Sequence, residues 1–481
     1  MTSAAPLRER LRRRFRPDDD GFDRKLLAPL ISGAVLNPIN SSIIAVALVP
    51  IGVAFGAPAS ATAWLISSLY LATAVGQPVV GRLIDTYGPR RLFLPATALV
   101  GLAGIIGTLA PNLTVLIVAR VILGFGTCAG YPAAMRLIHD ESERTGRDSP
   151  AFVLTALAIS TQTIAVIGPS LGGLLIGIGG WRATFAINLP IALFAFVLGA
   201  HRFPKPSKPH RPTTVRGQLD YLGMGLFAGT LIALLLFLMH PRTGDWYLVV
   251  TAIAAAAAFT ARELRCRTEP FIDLRILGRN RALLITYGRT LLAYVVSYSF
   301  MYGYTQWLEQ SRGLSAGQAG LATLPLFATG LLVSLLTGRR EAVRGKLVVA
   351  AVGQVIGCLL LLTLHSSTAV WLLIVVALVF GVPQGLNSLA LQNSVYRQAD
   401  PDDIGTSAGL LRTFGYLGAI ISSAAQGAFY GQSADTTGMH HLALLLVGIS
   451  AVFLTITVFD RSLTRSTANA DPASGREDSR G

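Results

Sequence analysis

The chain has 481 residues, of which 52% are apolar and 14% charged, with a mean hydropathy of +0.56. Soluble domains carry about a quarter charged residues, so a water-soluble enzyme or binding module is excluded. The net charge of +15 would suggest a nucleic-acid partner in a soluble protein; here the positive residues sit in short stretches between apolar runs, and none is expected.

From the N-terminus onward the apolar residues fall in fourteen runs, near 26–52, 62–81, 92–110, 113–137, 151–178, 183–200, 218–240, 246–261, 282–308, 317–338, 347–365, 369–393, 404–430 and 440–459. Most have the length of a helix crossing about 30 Å of hydrocarbon. The short alternating segments of an outer-membrane barrel are missing. The expected fold is an all-α polytopic membrane protein, with spans 1 to 14 in chain order. The first 25 residues are too basic, and the run after them too long, for a cleaved signal peptide; the first span is expected to act as its own insertion signal. Cys128, Cys266 and Cys358 show no disulfide pattern and no metal-ligand spacing. No metal or cofactor is expected.

Lys and Arg concentrate in alternate connections. With the N-terminus in the cytoplasm, 34 of the 40 lie in cytoplasmic segments, three in outer loops (Arg182, Arg242, Arg312) and three inside spans (Arg120, Arg289, Arg412). That asymmetry predicts a cytoplasmic-membrane protein with both termini inside. Two connections are longer than the rest. HRFPKPSKPHRPTTVRG (201–217) is basic and Pro-rich and reads as an extended linker. ARELRCRTEPFIDLRILGRNR (261–281) reads either as a helix on the membrane surface or as a solvated loop. They bracket spans 7 and 8 and leave six spans on either side. The expected organisation is a cytoplasmic basic N-terminus (1–25), a six-helix bundle (26–200), a linker with two additional helices (201–281), a second six-helix bundle (282–460) and a disordered cytoplasmic tail (461–481). Two bundles of matching topology imply a transporter with its substrate path between them.

After span 2, GRLIDTYGPRR (81–91) places Gly81, Asp85, Gly88, Arg90 and Arg91 in the spacing of the loop between helices 2 and 3 of the major facilitator superfamily, which it resembles. As residues, Gly81 lets helices approach and Gly88 permits a tight turn. The resemblance implies a conformational latch: Asp85 against a helix N-terminus of the opposite bundle, a favourable charge–dipole contact, with the arginines as ion-pair partners. The plain alternative is a positive-inside turn.

In span 4, ARVILGFGTCAG puts Arg120 inside the bilayer, where a charge is costly and by default functional. It resembles the family's fourth-helix arginine, which implies proton coupling; the alternative is a guanidinium bonded to backbone carbonyls. In span 5, IGPSLGGLLIG holds Gly168, Pro169, Gly172, Gly173 and Gly177. Two small-xxx-small pairs and a proline allow close packing and a bend. The pattern looks like the family's exporter signature, or else serves packing alone. WRATFAINLPI (181–191), WLEQSRGLSAGQAGLATLP (307–325) and QADPDDIGTSAGLLRTFGYLGAI (398–420) resemble stretches of the fourteen-span drug:proton antiporter branch. The resemblance covers roughly residues 26–460, and it implies two six-helix bundles plus two extra central helices. GRREAVRGK (338–346), where a second latch loop would stand, is degenerate.

The substrate path is read from span 9. At 100° per residue, Tyr287, Tyr294, Tyr298 and Tyr302 fall within about 80° of one another. Such a stripe suits bulky amphipathic molecules, or packs against neighbours. Arg289 lies beside it near the cytoplasmic end. Asn40, Gln77, Gln162, Gln384, Asn387, Gln426 and Arg412 are further polar candidates inside spans.

Coupling is the difficulty. Where the antiporter branch carries a helix 1 acid, LNPINSSIIAVALVP (36–50) has Asn37, which cannot exchange a proton near neutral pH. Glu309, at the outer end of span 9, replaces a glutamine common in the motif it resembles, and is the candidate for a relocated proton site. No G-x-x-x-x-G-K-[ST] occurs, so ATP is not the direct energy source. The expectation is a monomeric exporter of small amphipathic or aromatic compounds by proton antiport. The alternatives are an uncoupled metabolite importer or facilitator, and a non-transporting receptor or lipid-handling protein.

Overall fold

The computed structural model describes residues 24–145, 151–204, 220–239, 243–265, 271, 274–337, 343–398 and 404–460. No strand occurs among them. In hydrocarbon each backbone N–H and C=O must be satisfied within its own segment, and an apolar run does that only as a helix.

A helical rod stands at each of the fourteen expected positions. Span 1 is built from Leu27–Ala34, Leu36–Ile43 and Leu48–Phe55, the last two joined by a 3-10 turn at Ile44–Val46. Span 2 is Ala59–Tyr87, span 3 Pro89–Leu109, and span 4 the pair Leu113–Thr127 and Gly130–Thr145. The helix Ala151–Ala186 carries span 5 and the start of span 6. It is broken at Gly179 and at Gly180, whose φ of +67° only glycine adopts readily, and span 6 continues as Asn188–Arg202. Span 7 is Tyr221–Met239, span 8 Trp246–Arg265 and span 10 Ala316–Thr337. Span 9 joins Arg281–Tyr298, a π-helical turn over Ser299–Tyr304, and Thr305–Gln310. Val343–Leu361, Val370–Gln398, Ile404–Tyr430 and Thr436–Phe459 complete spans 11 to 14.

Ten helices are long and apolar enough to cross a membrane on length and composition alone, or eleven if Val166–Ala186 and Asn188–Arg202, bent by 43°, count as one more. Span 13 is not among them, and Ser407, Thr413, Ser422, Ser423 and Gln426 stand along it. All five are buried against other helices, so a rod surrounded by protein need not be greasy.

Spans 2, 3 and 4 pack on one another, and span 12 packs on both span 10 and span 11. Span 2 lies along span 13, and span 5 along span 10. Spans 7 and 8 pair and sit outside: 24% and 17% of their central windows are buried, against 78% for span 1. Span 7 touches both span 2 and span 13.

Of the connections, 201–217 lies outside the described residues beyond 204, and so do the N-terminal 23 residues and the tail after 460. Within 261–281, span 8 runs on to Arg265 and a short helix occupies Leu274–Arg279. Gly88 turns the chain between spans 2 and 3 with φ +88°, as expected. Gly81 does not serve a close helix approach: a Cβ built there meets no atom within 4 Å.

Candidate functional site

A cavity of about 260 Å³ lies among spans 1, 4, 5, 9, 10, 12 and 13. Span 1 lends Asn37 and Ser41, span 4 Tyr131 and span 5 Thr161. Facing them are Tyr294 and Tyr298 of span 9, Gln384 and Gln392 of span 12, and Arg412 and Tyr416 of span 13. Except for Tyr298, just past the middle of span 9, these positions lie at or beyond the midpoint of their rods toward the end that carries Gly88. Arg412 is the one charged side chain among the lining residues, and no carboxylate is among them. Its guanidinium carbon sits 3.4 Å from the centre of the Tyr131 ring, a cation–π contact between distant parts of the chain.

Away from Gly88 the cavity meets stacked tyrosines. Tyr70 of span 2 stacks on Tyr416 at 5.6 Å and packs on Tyr298 at 5.1 Å, and Tyr298 stacks on Tyr302 at 5.9 Å. The Tyr302 hydroxyl donates to the Ser41 carbonyl (2.9 Å) and accepts from the Tyr70 hydroxyl (2.8 Å). A hydroxyl has one proton to give, so Tyr70 must be the donor of that pair.

The span 9 stripe is therefore divided. Tyr294 and Tyr298 line the cavity, whereas Tyr287, Arg289 and Tyr302 do not. The π turn widens the helix over Ser299–Tyr304, so a regular 100° step no longer holds there, and Tyr302 points to spans 1 and 2. Tyr287 stacks on Phe414 at 5.2 Å and donates to the Ser407 carbonyl at 3.1 Å. Arg289 is tied to the Asp460 carboxylate at 2.5 Å and to the Ile456 carbonyl. A buried cation takes the nearest anion, and that lies at the end of span 14.

The other polar candidates divide likewise. Gln384 lines the cavity; Asn387 is buried away from it with neither side-chain atom hydrogen-bonded. The Gln162 side chain lies outside the described residues, and its neighbour Thr161 reaches the cavity instead. Asn40 donates to Asn188 at 2.7 Å, and Gln426 bonds Ser422. The sequence reading passed over Tyr131, Tyr416 and Gln392. Tyr416 follows Arg412 by four residues, one turn along the same face, and that spacing was the available signal.

Beyond the tyrosines, two seams close the end away from Gly88. Along spans 5 and 10, a Cβ at Gly173 would lie 2.6 Å from the Gly317 Cα, and one at Gly320 2.6 Å from the Pro169 carbonyl oxygen. Gly168 and Gly172 turn the other way, against Ser42 and Val46 of span 1. The glycines of span 5 thus admit two neighbours. Along spans 2 and 13, the N–H groups of Ala59 and Ser60 donate to the carbonyls of Gln432 and Gly431, and the Ser423 hydroxyl donates to the Ala63 carbonyl at 2.7 Å.

Comparison with known proteins bears on this arrangement. The family model described as Major Facilitator Superfamily matches residues 30–423. The chain belongs to the major facilitator superfamily. It is 33% identical to YwoD, an uncharacterized MFS-type transporter of Bacillus subtilis strain 168, over 92% of this chain and 98% of that one. It is 27% identical to the lincomycin resistance protein of Streptomyces lincolnensis, over 86% of each chain. Among solved structures, the nucleoside transporter NupG superposes with a TM-score of 0.59 at 12% identity, over 92% of this chain and 99% of that one; at that identity it shows the fold alone. The protein is a multi-pass membrane transporter, not an enzyme.

In this transporter the 81–91 segment makes contacts within the first half of the chain. Arg90 donates to the carbonyls of Ala200 (2.7 Å) and Phe203 (3.4 Å) at the end of span 6, filling acceptors that a helix C-terminus leaves open. Arg91 is exposed, and the Asp85 side chain lies outside the described residues. Arg120 is buried and donates from Nε to the Leu65 carbonyl (2.8 Å) and from Nη1 to the Asn40 carbonyl (3.3 Å). It pins spans 1 and 2 together, while Nη2 has no hydrogen bond. Asn37, singled out for coupling, lines the cavity and donates to the Thr127 hydroxyl at 3.1 Å. Glu309 is 8% exposed, is not among the cavity-lining residues, and its Oε1 makes no hydrogen bond.

Proposed function

We propose that the protein exports small amphipathic or aromatic compounds, antibiotics among them, across a bacterial cytoplasmic membrane by alternating access. The observation that carries this reading is the cavity itself: tyrosines and amides around a space for one small molecule, with glycine-lined seams closing one end. Tyrosine offers flat apolar surface and a hydroxyl, which suits amphipathic ligands. The likeness to the lincomycin resistance protein and the exporter-type glycines of span 5 support the outward direction. In this reading residues 26–200 and 282–460 are the two moving bundles, and 201–281 adds the outer pair. With both termini in the cytoplasm, as the Lys and Arg distribution favours, the cavity belongs to the inward-facing state of a monomer. Gly81–Arg91 would then latch the cytoplasmic end when the bundles rock the other way.

The drive in this reading is proton antiport with Glu309 as the proton site. Glu309→Gln should abolish substrate export driven by an imposed pH gradient in proteoliposomes while leaving counterflow of substrate intact; unchanged pH-driven export would remove Glu309 from the scheme. Asn37, neutral where the antiporter branch has an acid, favours a second reading as an uncoupled facilitator. Flux measured in inverted and right-side-out vesicles separates the two, since a facilitator follows the substrate gradient in either orientation.

A further inference from the structure

The cavity holds a cation and no anion. Arg412 is enclosed among Tyr131, Tyr294 and Tyr416, and no carboxylate pairs with it among the described residues. Arg412 is half-buried; a charge partly withdrawn from water without a counter-charge is costly in proportion, and a ring face is a weak substitute for an anion. Arg289 sharpens the contrast. It is the other arginine of the second half within a span, fully buried where Arg412 is half-buried, and it has a carboxylate at 2.5 Å. Arg412 is thus left with a place open for a negative group, in the cavity among spans 1, 4, 5, 9, 10, 12 and 13.

We propose that the cavity selects aromatic monoanions, a flat ring bearing one carboxylate or comparable acid group, and that the anion takes the position of the Tyr131 ring on Arg412. This rests on the reading of the cavity as the substrate site. The ring of the ligand stacks among Tyr294, Tyr298 and Tyr416, whose faces accept any aromatic plane. Its acid group forms the charge-assisted, two-pronged pair that a guanidinium geometry favours. Tyr131 stands on span 4 and Arg412 on span 13. Displacing Tyr131 therefore breaks a contact between the two sides of the cavity as the ligand binds. Loading and loosening become one event, and only an anion performs it.

The test is equilibrium binding to the purified full-length protein in lipid nanodiscs, with empty nanodiscs subtracted. Three probes share one ring system: naphthoate, naphthamide and naphthylmethylammonium. The wild type should bind naphthoate at least about tenfold more tightly than either of the others, the expected size of a charge-assisted pair. Arg412→Gln should erase that preference while changing naphthamide binding little, and Arg412→Lys should keep part of it. Tyr131→Leu should tighten naphthoate binding by about threefold or more, because a competing cation–π contact is removed, and leave naphthamide unchanged. Equal binding of naphthoate and naphthamide, or a preference for the ammonium, overturns this inference and leaves export standing. Binding of none of the three overturns the cavity reading together with it. If Arg412→Gln does not fold, the wild-type series and Tyr131→Leu still decide.

Discussion

The backbone N–H of Ser60 donates to the carbonyl of Gly431 at 3.0 Å, so the first turn of span 2 is capped by the residue that follows span 13. A helix start leaves donors unpaired and a helix end leaves acceptors unpaired; here each supplies the other across the seam. Gly431 holds φ +54° to aim its carbonyl. Gly431→Ala should cost about 1–2 kcal/mol in that conformation and loosen the seam. Labelling by an impermeant maleimide of a cysteine placed at Ala63, buried beneath it, should rise several-fold. Unaltered labelling would show that the cap does not hold this end shut.

The span 5–span 10 seam offers a sterically cleaner case. Gly173→Leu would drive side-chain atoms into Gly317, whereas Gly177→Leu enters open space. Overpacking costs about 1–3 kcal/mol, enough to shift a two-state equilibrium by about fivefold or more. Transport by Gly173→Leu should fall accordingly and that of Gly177→Leu should stay near wild type. Equal loss in both would point to general misfolding.

Arg289 and Asp460 form an ion pair with both side chains almost wholly enclosed. Removing one partner of such a pair typically costs about 3–5 kcal/mol, because the other charge stays buried alone. Arg289→Ala should lower thermal stability and membrane abundance sharply, and replacing both residues by a matched apolar pair should restore much of it. Substrate selectivity should not change, since neither residue faces the cavity.

Asp220 sits just before span 7. Burial pushes its carboxyl up, but the Arg262 guanidinium at 2.7 Å and the Gly223 N–H outweigh that, leaving it below its ordinary value. The sign follows from linkage: a depressed acid stabilises the folded state above its unfolded value near about 4, and that contribution is lost as the pH falls through the folded value. Wild-type thermal stability should therefore drop more steeply on acidification below about pH 4 than that of Asp220→Asn. Parallel acid limbs would mean that the pair adds nothing.

In the 81–91 segment the latch proposal makes Asp85 the most damaging residue to lose. Asp85→Asn should reduce export by about tenfold or more, the scale of a lost charged hydrogen bond. Arg90→Ala should act differently, by unfastening span 6 from the carbonyls of Ala200 and Phe203 and lowering stability. Normal export by Asp85→Asn would reduce the segment to a turn.

The glycines illustrate how far a sequence reaches. Gly168, Gly172 and Gly173 were legible as a close-packing face because small residues recur at helical spacing, but which helix each one admits was not. Two neighbours share the face, one from span 1 and one from span 10, and nothing local distinguishes them. Gly81 looked like another packing position and meets nothing. The tyrosines of span 9 were legible as a stripe, but only Tyr294 and Tyr298 line the cavity, while Tyr302 stacks on Tyr298 and bonds to span 1.

What the amino-acid order determined by itself is the number and order of the rods, not their ends: spans 5 and 6 share the helix Ala151–Ala186, and span 2 runs on to Tyr87. A run of apolar residues in hydrocarbon has one way to satisfy its backbone, and Gly88 marks a turn. The occupants of the cavity were decided only by the tertiary structure. Arg120, Arg289 and Arg412 are alike as sequence, three arginines inside apolar runs. One is held by backbone carbonyls, one by Asp460, and one lies over Tyr131 at the cavity. A buried guanidinium takes whatever acceptor packing brings to it, and those partners come from spans remote in the chain.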